Sequence, residues 1–428
     1  MIGSTGVLHS YDQGGPAGIA SPNALVSAGS LASGVTFARA SSGLLLGTDG
    51  ASWQSAAADA PRFQGASRRL LLEGARTNSN PNSRFEGAQN GSGNYGTGWT
   101  AFDPATPTAG LSRTCLGNTT MFGLPGVLVQ IAGTTTAAAV MGFQLNAPIN
   151  ANPGDLWTTS IHGAMASSSG AAGQASLSTY IRPKDASFAD TQGGILRSVP
   201  VALAVGALAR AIHSSPALAA GTNRFQSGFS ISYPAGVTVN DTVFLACHQP
   251  ELGAFASSPV LSPAGTIAAS TRAADVAGFA LSGAAAAQGT LVGTFLLPQA
   301  APAGADQGLL TLDDGTAGNR IGLRNAAGGL AIVPVRAASG VETVGGTAGT
   351  VSAGTSFKAA LAWDAGGIVA CVAGGAVQSL PGAPPALTRI LFGQGRGDLA
   401  SLLFGEIGPL NLHSTRLADS SLQALTSG

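Results

Sequence analysis

Residues 247–275, CHQPELGAFASSPVLSPAGTIAASTRAAD, decide the reading of the chain, because they pass from strand to connector within a few positions. Just upstream, Val243, Leu245 and Cys247 alternate with Phe244, Ala246 and His248, the period-2 pattern of a β-strand. From Gly253 to Ser270 the sequence is punctuated by Pro, Gly and Ser and carries no helical period. A domain's last strand therefore gives way to a linker that ends near Asp275.

Working outward, the 428 residues suffice for two or three domains, each with its own core. Only 9% of residues are charged and the formal net charge is +0, which argues against a nucleic-acid partner held by a basic field. Low charge raises the question of a membrane, but no apolar run reaches the ~20 residues of a spanning helix. The nearest candidate, 276–297, is broken by Gly, Ser, Gln and Thr, and Thr290–Leu296 reads better as a strand. With 62 Gly and 23 Pro separating many short alternating runs, the composition implies an all-β protein. Cys115, Cys247 and Cys371 are odd in number, far apart and without a C-x-x-C pair, so they read as small buried hydrophobes. The opening MIGSTGVLHSYDQGG has neither a basic nor an apolar signal-peptide region, which predicts synthesis in the bacterial cytoplasm.

The chain divides into three regions. Residues 1–76 are poor in alternation, with short strands at 34–38 and 70–73, and read as an extended arm that must dock on something to be ordered. Attachment and oligomer formation are the expected roles, with a flexible leader as the alternative. Residues 77–275 carry strand runs at 126–132, 138–145, 156–164, 175–181, 199–208, 224–232 and 242–248, the spacing of a sandwich. Residues 276–428 repeat the pattern: Phe357, Ala359, Leu361 and Trp363 alternate with Lys358, Ala360 and Ala362, then Asp364-Ala365-Gly366-Gly367 reverses the chain into 367–373. Asp419 is placed as the N-cap of a short closing helix in which Leu422 and Leu425 share a face.

Two blocks of motif carry a family resemblance. The first is FARAS at 37–41, PRFQGASRRLLLEGARTN at 61–78, then Asn82-Ser83-x-Phe85 and Trp99. The second is Gln249-Pro250-Glu251-Leu252-Gly253 followed by Thr271-Arg272-Ala273-Ala274-Asp275. In this order they resemble the opening and closing segments of carbohydrate-binding modules in fibre and spike proteins of tailed phages and gene transfer agents. In that family the second block runs Pro-Gln, whereas here the two residues are exchanged. The resemblance implies a jelly roll for 77–275, and the later segments resemble laminin-G-like, concanavalin-type sandwiches. Eighteen Arg against two Lys suggest a high-GC genome, which favours a gene transfer agent's head spike within that family.

A sugar site needs an aromatic face for the C–H side of a pyranose, beside polar groups that read its hydroxyls. Four Trp and four Tyr make the search short. Tyr95 lies in the polar, Gly-rich run Gln89–Trp99, and Tyr180 ends a strand at the charged loop Arg182–Asp185. Trp157 and Tyr233 complete the candidates. For each, a core, loop-anchor or subunit-contact role is the competing reading; Trp99 and Trp363 read as core and Trp53 as a docking residue. Asp313-Asp314-Gly315 with Asn319 fits a tight turn, with a calcium loop as the alternative, although six to eight oxygens would be needed.

Catalysis is not indicated. The five His are scattered without paired ligand spacing, no nucleophile elbow or P-loop occurs, and no strand of 276–428 holds the acidic pair that glycoside hydrolysis needs. The expected protein is a non-enzymatic, homo-oligomeric fibre or spike on the exterior of a phage-like particle. It would attach to a capsid, tail or base protein through the arm and bind host cell-surface polysaccharide, with no cofactor. A purely structural decoration protein and a polysaccharide depolymerase are the alternatives.

Overall fold

A computed structural model describes residues 22–91, 93–103, 109–169, 174–399 and 401–428; residues 1–21 of the arm, and Ser92 beside Tyr95, lie outside the described residues. The chain is all-β. Among the described residues, antiparallel sheets are accompanied by two short helices, Ala284–Ala287 and Asp419–Thr426. Neither helix is long and apolar enough to cross a membrane.

The first sandwich packs two sheets face to face. One runs Leu111–Met121, Leu124–Thr134, Thr238–Leu252, Trp157–Ser167, Ala209–Ser214. The other runs Leu196–Arg197, Ser176–Lys184, Arg224–Tyr233, Ala139–Leu145, Trp99–Ala101. Between them lies an aromatic core in which Phe85 stacks on Trp99 at 4.8 Å and Phe143 on Phe229 at 5.0 Å. Val243 and Leu245 enter this core, while Phe244 and Ala246 face the opposite side, as alternation requires. The alternation then breaks: Cys247 adopts φ 48, a register shift faces it across the ladder, and His248 lands against Trp99 and Phe229 instead of opposite them. One extra residue in a strand turns every later side chain to the other face.

The second sandwich is built from both ends of the described chain. In one sheet Gly405–His413 pairs with Gly289–Leu296, and on its other side with Asn23–Ser27 and Arg69–Leu72. In the facing sheet Val276–Ala280 lies between Arg389–Phe392 and Val35–Ala38. The segment expected as a separate arm therefore does not stand apart over residues 23–78. Its strands Asn23–Ser27, Val35–Ala38 and Arg69–Leu72 dock on the C-terminal sandwich, where their backbone N–H and C=O groups satisfy open edges. The jelly roll is thus inserted into the second sandwich, leaving and returning through the paired strands Arg76–Asn78 and Ser270–Arg272.

Three local expectations change. Leu111–Met121 forms a long strand although its sequence, LSRTCLGNTTM, is too polar to announce one. The run 199–208 contributes the short strand Val201–Ala202 and isolated bridges at Ala204, Val205 and Ala207, with Val199 and Val205 exposed, and the ladder resumes at Ala209–Ser214. The closing helix is capped by the backbone at Ala418, and Asp419 sits in its first turn, bonded to Arg416. Leu422 does fall on the buried face.

Candidate functional site

The motif residues meet at the junction of the two sandwiches. FARAS supplies Arg39, PRF supplies Arg62, RRLLLEG supplies Glu73, and TRAAD supplies Arg272 and Asp275; all five side chains are buried. Asp275 lies 3.1 Å from Arg39 Nη1 and 2.5 Å from Arg62 Nη2, and also accepts the Glu73 amide at 2.9 Å. Glu73 lies 2.8 Å from Arg62 and 3.5 Å from Arg272, and accepts from the Ser258 amide and hydroxyl. Burial alone would push the Glu73 carboxyl up, but Arg272 and Arg62 hold it down at about 2. QPELG continues the network: the Gln249 side chain receives the Val260 amide, and Glu251 receives the Ser257 amide and hydroxyl. Buried charges survive only when paired in this way. The motifs that carry the resemblance are therefore the pins that fix one sandwich against the other.

Above the network runs an open groove. The hairpin Gly43–Leu46/Trp53–Ala56 lies on the outer face of the jelly roll, with Leu44 and Trp53 packed over Leu124, Phe244 and Ala246. Trp53 donates its backbone N–H to Phe122 O at 2.8 Å. Gly123 permits that approach, since a Cβ there would sit 2.0 Å from Trp53 O. Half-buried Trp53 lines a cleft on each side. The first, about 450 Å³, is bounded by Arg84, Pro125 and the hydroxyl-bearing Ser41, Ser55, Thr120 and Thr271. It shares Arg84, Thr120 and Pro125 with a neighbouring opening of about 410 Å³. The second, about 420 Å³, is bounded by Arg210, Ser214, Ser257 and Gln299. Phe404 also borders a larger opening, about 700 Å³, between the two sandwiches near Arg76, Asp155 and Asp306.

Two cations on this line have no carboxylate partner among the described residues. Arg84 gives its Nε to Ser262 O at 2.6 Å; Arg210 gives Nη2 to Ser160 Oγ at 2.9 Å and Ser257 O at 2.6 Å. The carboxylates along the groove are engaged: Glu86 by the Gly265 amide, Asp306 by Arg324, Asp155 by the Asn152 amide and the Trp157 indole.

The four aromatics expected as sugar contacts lie elsewhere. Tyr95, Tyr180, Trp157 and Tyr233 retain 1%, 1%, 6% and 2% of their exposure, so none offers a ring face to a ligand. Tyr95 meets Phe143 edge-on at 4.9 Å and Trp157 meets Phe225 at 4.7 Å. Tyr233 donates its hydroxyl to Asp241, and the Tyr180 hydroxyl reaches Phe143 O at 3.5 Å. Burial pushes the hydroxyls of Tyr95, Tyr180 and Tyr233 up from their ordinary pKa. In a chain with so few large rings, the jelly-roll core claims them. Sequence reasoning missed Arg84 and the clefts beside Trp53. The available signal was a tryptophan opening the run WQSA after the turn TDGAS, which its docking role masked.

Asp313 is buried, paired with Arg389 of a neighbouring strand and bonded by the Gly315 amide, and Asp314 accepts from Thr316 and Asn319, so both carboxylates spend their oxygens on protein donors. Among the described residues no three His, Cys, Asp or Glu side chains gather as metal ligands.

No family model and no curated protein sequence matches the chain. Among solved structures it is similar to the IT-sialidase module CBM40 of Ruminococcus gnavus bound to α2,3-sialyllactose, at 20% identity and TM-score 0.29, covering 34% of this chain and 85% of that one. It is similar to domains LG4-5 of the mouse laminin α1 chain at 13% identity and TM-score 0.24, covering 67% and 90%. A sialidase of Trypanosoma rangeli in complex with the inhibitor DANA aligns at 10% identity and TM-score 0.28, covering 75% and 69%.

Proposed function

We propose that the chain is a non-enzymatic glycan-binding protein on the exterior of a phage-like particle, a fibre or a gene transfer agent's head spike, and that it holds host cell-surface polysaccharide in the groove beside Trp53. The observation that carries this reading is the groove's make-up: a half-buried indole that borders two clefts, a guanidinium without a carboxylate partner among the described residues, and a fringe of Ser and Thr hydroxyls. Those are the groups a sugar needs, an aromatic surface for its C–H face and donors and acceptors for its hydroxyls. Hydrolysis would require an acid and a nucleophile or base flanking the scissile bond. The groove's carboxylates are instead tied to amides, an indole and arginines, and Glu73 is held ionised by its partners. Several copies on one particle would turn a weak single site into firm adsorption. The motif resemblance supports particle placement and attachment to a base or capsid protein.

The test is a glycan array and capsule titration with the full chain. Wild type binds, and Trp53→Ala weakens binding by at least about tenfold, as for a central aromatic anchor. Particles carrying Trp53→Ala assemble but adsorb poorly to cells. Binding that survives Trp53→Ala unchanged, or release of reducing ends from capsule by the purified chain, contradicts the reading.

A further inference from the structure

We infer that the groove's ligand is an acidic polysaccharide, a glycan bearing carboxylates, read by Arg84 on one side of Trp53 and by Arg210 on the other. This rests on the glycan reading above and adds the chemical class of the sugar.

Both arginines are half-buried, line clefts that meet at Trp53, and lack a carboxylate partner among the described residues. A half-buried cation without a counter-ion is costly, and an incoming carboxylate removes that cost. The acidic groups on the same line are engaged by protein donors, and Glu251 and Glu73 act on Arg210 only from beyond ion-pair distance, so each guanidinium still lacks a paired carboxylate. Each guanidinium also has donors to spare. Arg84 spends only Nε, and Arg210 spends Nη2 while its buried Nε finds no partner. A planar fork of donors fits a carboxylate better than a neutral hydroxyl. Neighbouring clefts share Arg84, Trp53 and Phe404 in their walls, and such a row of openings suits an extended polymer more than a single sugar.

The experiment titrates the full chain with polygalacturonate and with the same polymer after carboxyl reduction, by calorimetry. Polygalacturonate should bind, and the reduced polymer about tenfold more weakly, as expected for loss of hydrogen bonds to a charged group. Arg84→Gln and Arg210→Gln should each lose about tenfold for the acidic polymer and clearly less for the reduced one. Should a Gln variant fail to fold by circular dichroism, Arg84→Lys and Arg210→Lys keep the charge but lose the fork, and an intermediate loss is expected. Equal affinity for both polymers, or folded variants with unaltered binding, overturns the proposal and leaves the glycan reading in place with a neutral sugar. No binding of polygalacturonate to wild type also overturns it, and the glycan array then shows separately whether the reading beneath falls.

Discussion

The buried junction and the groove above it are built from the same short segments, yet they use opposite residues. FARAS sends Arg39 inward to Asp275, while Ser41 and the adjacent Ser42 face the groove. TRAAD buries Asp275 among arginines and leaves Thr271 at the opening. The junction collects charge in a chain that has little of it. The groove presents mainly hydroxyls and amides, with two cations that have no carboxylate partner among the described residues. The difference separates two meanings of a recognisable motif. Residues that are chemically improbable in a core, such as arginine and aspartate, are specified strongly because they must pair; residues that meet a ligand can be as ordinary as serine.

The sharpest way to break the comparison is at the junction. Asp275→Ala leaves Arg39 and Arg62 buried without their shared partner and should cost about 3–5 kcal/mol in urea unfolding. Loss of under about 1 kcal/mol would mean the network is not a pin. Trp157→Ala should cost a similar ~3–5 kcal/mol through cavity formation, while glycan affinity of the fraction still folded stays unchanged. A direct loss of affinity there would restore it as a contact.

An acid titration gives the next effect. His248 is held neutral by burial, its pKa pulled from 6.5 to about 3, and Glu73 is depressed from 4.5 to about 2. Both folded values lie below the unfolded ones, so the unfolded chain binds more protons and stability falls as pH falls. The contribution from His248 is present above pH 6.5 and is lost towards about 3; that from Glu73 is present above 4.5 and is lost towards about 2. Melting temperature against pH checks this, and His248→Gln should flatten the upper part of the curve. At the small end, Asp314→Ser in its exposed turn should change stability by under about 0.5 kcal/mol.

Much of the fold is legible where a strand has one buried face. Phe357, Leu361 and Trp363 enter the second core in the alternating order their spacing implies. Where both faces are covered, or neither, the signal fails. Leu111–Met121 hides behind polar letters, and Asn23–Ser27, Val35–Ala38 and Arg69–Leu72 find partners hundreds of positions away, which no local period encodes. The site is less legible for a related reason. Tyr95 and Tyr180 sit next to polar loops in sequence, and adjacency to a loop is a poor guide to which way the ring turns. Trp53 and Arg84 come together only because the hairpin folds over the jelly roll, a tertiary event with no sequence period.

The inserted topology has a consequence for biosynthesis. Asn23–Ser27 leaves the ribosome well ahead of its neighbour Gly405–His413, which lies hundreds of residues further along the chain. At about 5–20 residues per second, the gap between them is on the order of 20–80 s. During that wait the early strand edges have no native partner, while the intervening jelly roll is already whole and can mature by itself. The cell must shelter these strands until their distant partners arrive.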